Sequence, residues 1–108
     1  MIQTSRIGSR CLKVAETLDT RAADEIAVLR TARVLKNIHS ELQRALWETR
    51  KTAGHTDQTD QAEVALESME QDLRRALLGY PALRGPLLRE NVVRALDQSF
   101  TILDLLGL

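Results

Sequence analysis

The long stretch without glycine or proline in the first half of the chain is the feature that most constrains the fold. Neither residue occurs from Cys11 to Lys51, a segment rich in the strong helix formers leucine, alanine, arginine and glutamate. A single helix over that span would be roughly 60 Å long at about 1.5 Å per residue, whereas a compact domain of this size has a radius of gyration of about 13 Å. Such a helix would project beyond a monomeric bundle.

The apolar stripe within this segment changes face part-way along. At about 100° per residue, one apolar set occupies one side of the helix, and a second set lies more than a right angle away. The first set is Cys11, Ala15, Leu18, Ala22, Ile26 and Leu29, and the second is Val28, Leu35, Ile38, Leu42, Ala45 and Leu46. The change falls at residues 30–33, so either the two halves pack on different partners or the helix kinks there.

The rest of the chain predicts two more helices of matched length. Apolar residues recur at alternating spacings of about four and three over 60–79 and 86–106, and glycine and proline separate these segments. Short connections make consecutive helices antiparallel neighbours. The predicted fold is all-α, an antiparallel three-helix bundle (33–52, 60–79 and 86–106) whose first helix extends into an N-terminal arm (11–32) that packs on a second chain. The alternative is a closed four-helix bundle with a kink near 30–33.

Length and composition predict one domain and exclude several classes of protein. A chain of 108 residues has room for one core, so we expect a flexible tail over 1–10 and a single helical domain over 11–108. The single cysteine excludes a disulfide framework, and no apolar run reaches the roughly 18 residues of a membrane helix. A net charge of zero argues against a protein held mainly by DNA phosphates. The N-terminus lacks the apolar core of a secretory signal, which predicts a cytoplasmic location.

Charge is distributed unevenly along the chain. Residues 1–52 contain ten basic and six acidic residues, a net charge of +4, and residues 53–79 contain two basic and six acidic residues, a net charge of −4. A basic helix beside an acidic one is self-complementary. The pattern fits either ion pairs at the rim of the bundle or a basic ridge of Arg30, Arg33, Arg44 and Lys51 that faces a partner.

No pattern of residues points to catalysis, a cofactor or a metal. The two histidines, His39 and His55, have no catalytic companions in the sequence, and the glutamates of the second predicted helix fall on its polar side. Phosphate-binding glycine loops and zinc-protease motifs do not occur. Cys11 lies on the apolar stripe and is interpreted as a small buried hydrophobe. We therefore predict that the protein is not an enzyme.

Binding to another protein is the function that the sequence predicts. Trp47 lies on the polar side of the first helix, near Arg44 and Lys51, and tryptophan and arginine dominate interface hot spots. The predicted partner interface is Ala15, Leu18, Ala22, Ile26, Leu29, Arg33, Arg44 and Trp47. The protein would be an adaptor, a secretion or assembly chaperone or a regulatory subunit. It would act as a homodimer or in a hetero-complex, with no membrane contact and no cofactor.

A nucleic-acid-binding regulator is the alternative function. Residues 70–94 resemble a helix-turn-helix, in which two helices flank a tight turn at Gly79-Tyr80-Pro81. The second helix would offer Arg89, Asn91 and Arg94 to a DNA groove. The domain lacks the basic charge that usually accompanies such binding.

Overall fold

Four helices that pack together make up the protein. The computed structural model describes residues 2–20 and 24–108. The helices are α1 (Ile2–Thr20), α2 (Glu25–Ala53), α3 (Asp57–Gly79) and α4 (Gly85–Leu105). No strand occurs in these described ranges. The all-α prediction is confirmed.

Local capping chemistry explains where the helices begin and end. The extended residue Asp24 accepts hydrogen bonds from the backbone N–H groups of Ile26 and Ala27, and so satisfies donors at the start of α2 that have no intrahelical partner. Thr56 and Thr59 form a reciprocal capping box at the start of α3. Gly54 ends α2 at a φ of 73°, a backbone conformation that favours glycine.

The four helices alternate in direction, with α2 and α4 side by side at the centre. Glu25 at the start of α2 bonds to Gly85 at the start of α4, so these two helices are parallel. Within the described residues α1 packs against α2 and α4, α3 packs against the same two helices, and α1 and α3 do not touch. The molecule measures 42 × 24 × 16 Å.

One continuous core joins all four helices. The buried side chains follow the apolar rows that the sequence predicts for α2, α3 and α4, and α1 adds a row spaced by four, three and four residues. The α1 row is Ile7, Cys11, Val14 and Leu18. Burial of a valine, leucine or isoleucine side chain stabilises a fold by about 1.5–3 kcal/mol, so this row holds α1 against its own chain.

The predicted projecting arm is not confirmed. Residues 11–20 belong to α1, which packs on α2 and α4 of its own chain, and Cys11 and Leu18 are 0% and 2% exposed. Residues 2–10, predicted as a flexible tail, are helical as well, and Ile7 lies in the core. The arm does not project because α1 ends at Thr20, which allows α1 to run antiparallel to α2.

The predicted kink near 30–33 is also wrong in position. Those residues lie inside the uninterrupted helix α2, whereas the chain leaves the helical conformation at Asp24, which is extended. The first apolar stripe is therefore not one surface, because Cys11, Ala15 and Leu18 lie in α1 whereas Ile26 and Leu29 lie in α2. The signal in the sequence was an acidic N-cap, Asp24, followed by Glu25 in the first turn. The break between α1 and α2 thus occurs without a glycine or a proline.

Two substitutions distinguish a docked α1 from a projecting one. Leu18→Ala should lower the free energy of unfolding by about 2–5 kcal/mol, because it empties a buried position. Leu12→Ala, at a position of α1 that is 64% exposed, should change it by no more than about 0.5 kcal/mol. Urea denaturation followed by circular dichroism measures both. Equal, small effects of the two substitutions would contradict the packing of α1 on its own chain.

Candidate protein-binding face

The side of α2 that points away from the core carries an exposed row of residues with a regular helical spacing. We call this row the outer face of α2. It consists of Ile26, Arg30, Arg33, Asn37, Ser40, Arg44, Trp47 and Lys51, spaced alternately by four and three residues. All eight are exposed, and the buried residues of α2 lie on its other sides. The row therefore runs almost the length of the helix as one continuous strip.

Two large apolar side chains on this face are exposed to solvent. Trp47 is 63% exposed and Ile26 is 61% exposed. Trp47 is the only tryptophan of the chain. An indole ring brings a large apolar area and one N–H donor, and for this reason exposed tryptophans frequently anchor protein interfaces.

The arginines of the outer face have no ion-pair partner among the described residues. Arg30, Arg33 and Arg44 all lack one. Several other basic residues of the bundle are paired: Arg10 of α1 bonds to Glu41, and Arg50 bonds to Asp60 and Glu63 of α3. Three of the five arginines that lack an ion pair in the described ranges thus lie on the face that carries Trp47.

The acidic residues of α3 border the outer face on one side. We call Asp60, Glu63, Glu67 and Glu70 the acidic flank of α3. Arg50 reaches across to the first two of these at 3.0 and 3.1 Å, so the flank is turned toward α2. Exposed apolar side chains accompany it, with Val64 66% and Leu78 78% exposed.

Two open grooves separate the outer face from its neighbours. The groove between α1 and α2 has a volume of about 340 Å³, and its lining includes Lys13, Val14, Arg30 and Val34. The groove between α2 and α3 is larger, about 610 Å³, and is lined mainly by polar side chains. Trp47 lies beside this second groove, because its helical neighbours Gln43 and Arg50 both face α3.

The predicted interface residues divide into two groups. Ile26, Arg33, Arg44 and Trp47 are exposed together on the outer face of α2. Leu18 is buried, and Ala15 and Leu29 are partly buried against the core, so these three stabilise the fold and are not free to bind a partner. Ala22 lies outside the described residues. The prediction merged two rows because it treated α1 and α2 as one helix.

The residues proposed to read DNA are engaged within the bundle. Asn91 is 7% exposed, donates a hydrogen bond to the carbonyl of Leu87 and accepts one from Arg94. Arg94 also bonds to Asp72 and Glu90. Arg89 is partly buried, with its Nε enclosed. These side chains do not form the exposed set that reading of a DNA groove requires.

The two histidines and the cysteine each contact another group of the bundle. His39 Nε2 is 3.0 Å from the carbonyl oxygen of Leu66, to which it donates, and His55 lies exposed beside Asp60. Cys11 is fully buried, as expected, and its Sγ is 3.4 Å from Ser99 Oγ. Burial raises the pKa of the Cys11 thiol, which keeps it protonated. In the described ranges, no three His, Cys, Asp or Glu side chains are grouped to hold a metal ion.

A link that the sequence did not reveal ties the start of α2 to the turn before α4. The Glu25 carboxylate accepts hydrogen bonds from the Arg84 guanidinium at 3.0 Å and from the Gly85 backbone N–H at 2.8 Å. The bond to Arg84 is the larger cause, and the two together lower the pKa of Glu25. No sequence signal could identify this link, because its partners are 59 and 60 positions apart.

Comparison with known proteins does not assign the chain to a family. No protein-family model, curated protein or solved structure matches it. None of the helices in the described part of the chain is long and apolar enough to cross a lipid bilayer.

The Glu25 link makes stability depend on pH in the acidic range. Because folding lowers the pKa of Glu25, its contribution is complete above the pKa of an unfolded glutamate, about 4.3, and disappears as the pH falls through the lower folded value. Glu25→Gln should therefore lower the Tm at neutral pH, and the difference from wild type should vanish in acid. Thermal unfolding at a series of pH values measures this. Glu16→Gln, at an exposed position of α1, is the control, and a pH-independent effect of Glu25→Gln would contradict the assignment.

Proposed function

We propose that this protein is a small helical interaction module that binds another protein through the outer face of α2. The observation that carries the proposal is the exposed Trp47 on the same helical row as three arginines without ion-pair partners. In this proposal the four helices act as a closed bundle, which holds the row rigid and ready to bind. A rigid face loses little conformational freedom on association.

The chemistry of the face defines the surface that it would recognise. A partner with carboxylates would meet Arg30, Arg33 and Arg44, and an apolar pocket between those carboxylates would receive the indole of Trp47. Burial of apolar area contributes about 25 cal/mol per Å² and would supply most of the affinity. The charges would mainly set the association rate and exclude basic partners. An acidic protein surface is thus the partner that fits.

The roles of adaptor, assembly chaperone and regulatory subunit all remain compatible with such a module. Each needs a rigid scaffold with one selective face and no chemistry of its own. The cytoplasmic location stays a prediction. The nucleic-acid alternative has less support, because Asn91 is buried and Arg94, although 47% exposed, is paired with Asp72.

A capture experiment with two matched variants tests the proposal. Wild type, Trp47→Ala/Arg44→Glu and the control Leu12→Ala/Arg6→Glu would each be used to retain proteins from an extract of the source cells. The control alters an exposed leucine and an exposed arginine of α1. Each retained protein would then be purified and titrated, with the fluorescence of Trp47 as the signal for wild type and control and calorimetry for all three.

We expect wild type and control to bind the purified partner alike. Trp47→Ala/Arg44→Glu should bind at least about 30-fold more weakly, since loss of one hot-spot residue costs about 2 kcal/mol or more. Equal affinity of all three proteins, or the absence of any purified protein that wild type binds, would contradict the proposed function.

A further inference from the structure

We propose that the partner of the outer face of α2 is a second copy of this chain, with α2 of each protomer lying against α3 of the other. The inference rests on the proposed function and specifies its partner. The face that pairs, called here the α2–α3 face, combines the outer face of α2 with the acidic flank of α3 and the exposed residues Val64 and Leu78.

Basic and acidic residues lie in two parallel rows on this face. The α2 row contains Arg30, Arg33 and Arg44, which have no ion pair among the described residues. The α3 row is the acidic flank, and its member Glu67 is likewise exposed without an ion pair. Segments 1–52 and 53–79 carry net charges of +4 and −4. One surface therefore presents both halves of a complementary pair.

Contacts between α2 and α3 show which residues of the two rows lie at the same height along the helices. Arg50 bonds to Asp60 and Glu63, and His39 bonds to Leu66, which sets the register of the antiparallel helices. At about 1.5 Å per residue, Arg44 is then roughly level with Glu67, one helix away.

Symmetry selects one way to bring two such faces together. Consider a two-fold axis that runs parallel to the helices, midway between the protomers. It exchanges the positions of α2 and α3 across the face and keeps each residue at the same height along the helices. It places α2 of one protomer on α3 of the other, so that Arg44 meets Glu67 of the second copy twice, once on each side of the axis. A two-fold axis across the helices would instead place α2 on α2 and repel like charges.

Exposed apolar residues meet at one end of the same arrangement. Trp47 is about level with Val64, so the indole would pack on Val64 of the other protomer. Near the opposite end, Leu78 is about level with Arg33, and Ile26 lies roughly 10 Å, or about two helical turns, beyond it. Trp47 and Val64 are each more than half exposed in the single chain, and the pairing covers both.

The size of the face is sufficient for a dimer. Two helices side by side are about 20 Å wide, and about 30 Å of their length is shared, which is of the order of 600 Å² before surface relief is counted. A standard interface buries about 800 Å² on each partner. The α2–α3 face approaches this value without the use of α1 or α4.

Charge reversal of the two rows tests the pairing. Sedimentation velocity and light scattering would compare wild type, Arg44→Glu, Glu67→Arg and the double variant Arg44→Glu/Glu67→Arg over a wide range of concentration. Wild type should have twice the mass of one chain. Each single variant should dimerise at least about tenfold more weakly, because the symmetry repeats the repulsion. The double variant should dimerise again, and an equimolar mixture of the two single variants should form a heterodimer.

Circular dichroism of each variant checks that the helices are intact, and Leu12→Ala/Arg6→Glu should remain dimeric. Wild type that stays monomeric at every concentration, single variants that dimerise as tightly as wild type, or a folded double variant that stays monomeric would each overturn the inference. A monomeric wild type that still binds a purified foreign protein through Trp47 and Arg44 would overturn the self-pairing alone and leave the proposed function standing.

Discussion

The packing of α1 against α2 and α4 determines which surfaces of this protein remain free. Folding removes the side chains of Ile7, Val14 and Leu18 from water and buries them in the core, and Cys11 packs beside Ser99. This burial is possible only because α1 ends at Thr20 and Asp24 caps a new helix, so that the segment can run back along α2. The apolar row of α1 is thereby used within the fold and is not available to a partner.

With α1 docked, the apolar surface left on α2 is small and lies among charges. Trp47 and Ile26 occupy a row that is otherwise polar and basic, and α3 presents acidic residues beside it. A face of this composition is typical of interfaces that are selective, in which a few large side chains supply affinity and charges decide which partner fits. The same juxtaposition of a basic and an acidic helix makes a second copy the best complement that the structure presents.

Periodicity predicted the helices well, and the topology of the first half poorly. The rows that include Leu66, Met69, Val92 and Ala95 are buried as their spacing predicts, because alternate spacings of three and four leave no other face for a core. The end of α1 was missed because it depends on a capping aspartate, a weaker signal than glycine or proline. Trp47 and Arg44 were identified from local pattern alone. The charges of the two segments also predicted a basic helix beside an acidic one, but which acidic residues turn toward α2 follows from tertiary packing.

Native-state hydrogen exchange of the backbone amides of α1 tests the central claim most directly. If α1 is held by its own core, amides near Cys11, Val14 and Leu18 should exchange with a free energy close to that of amides near Val92 and Ala95 in α4, in the isolated protein. Exchange of α1 at the rate of an unstructured chain while α4 stays protected would contradict the account. In that case the apolar row of α1 that contains Leu18 would be free to bind a partner.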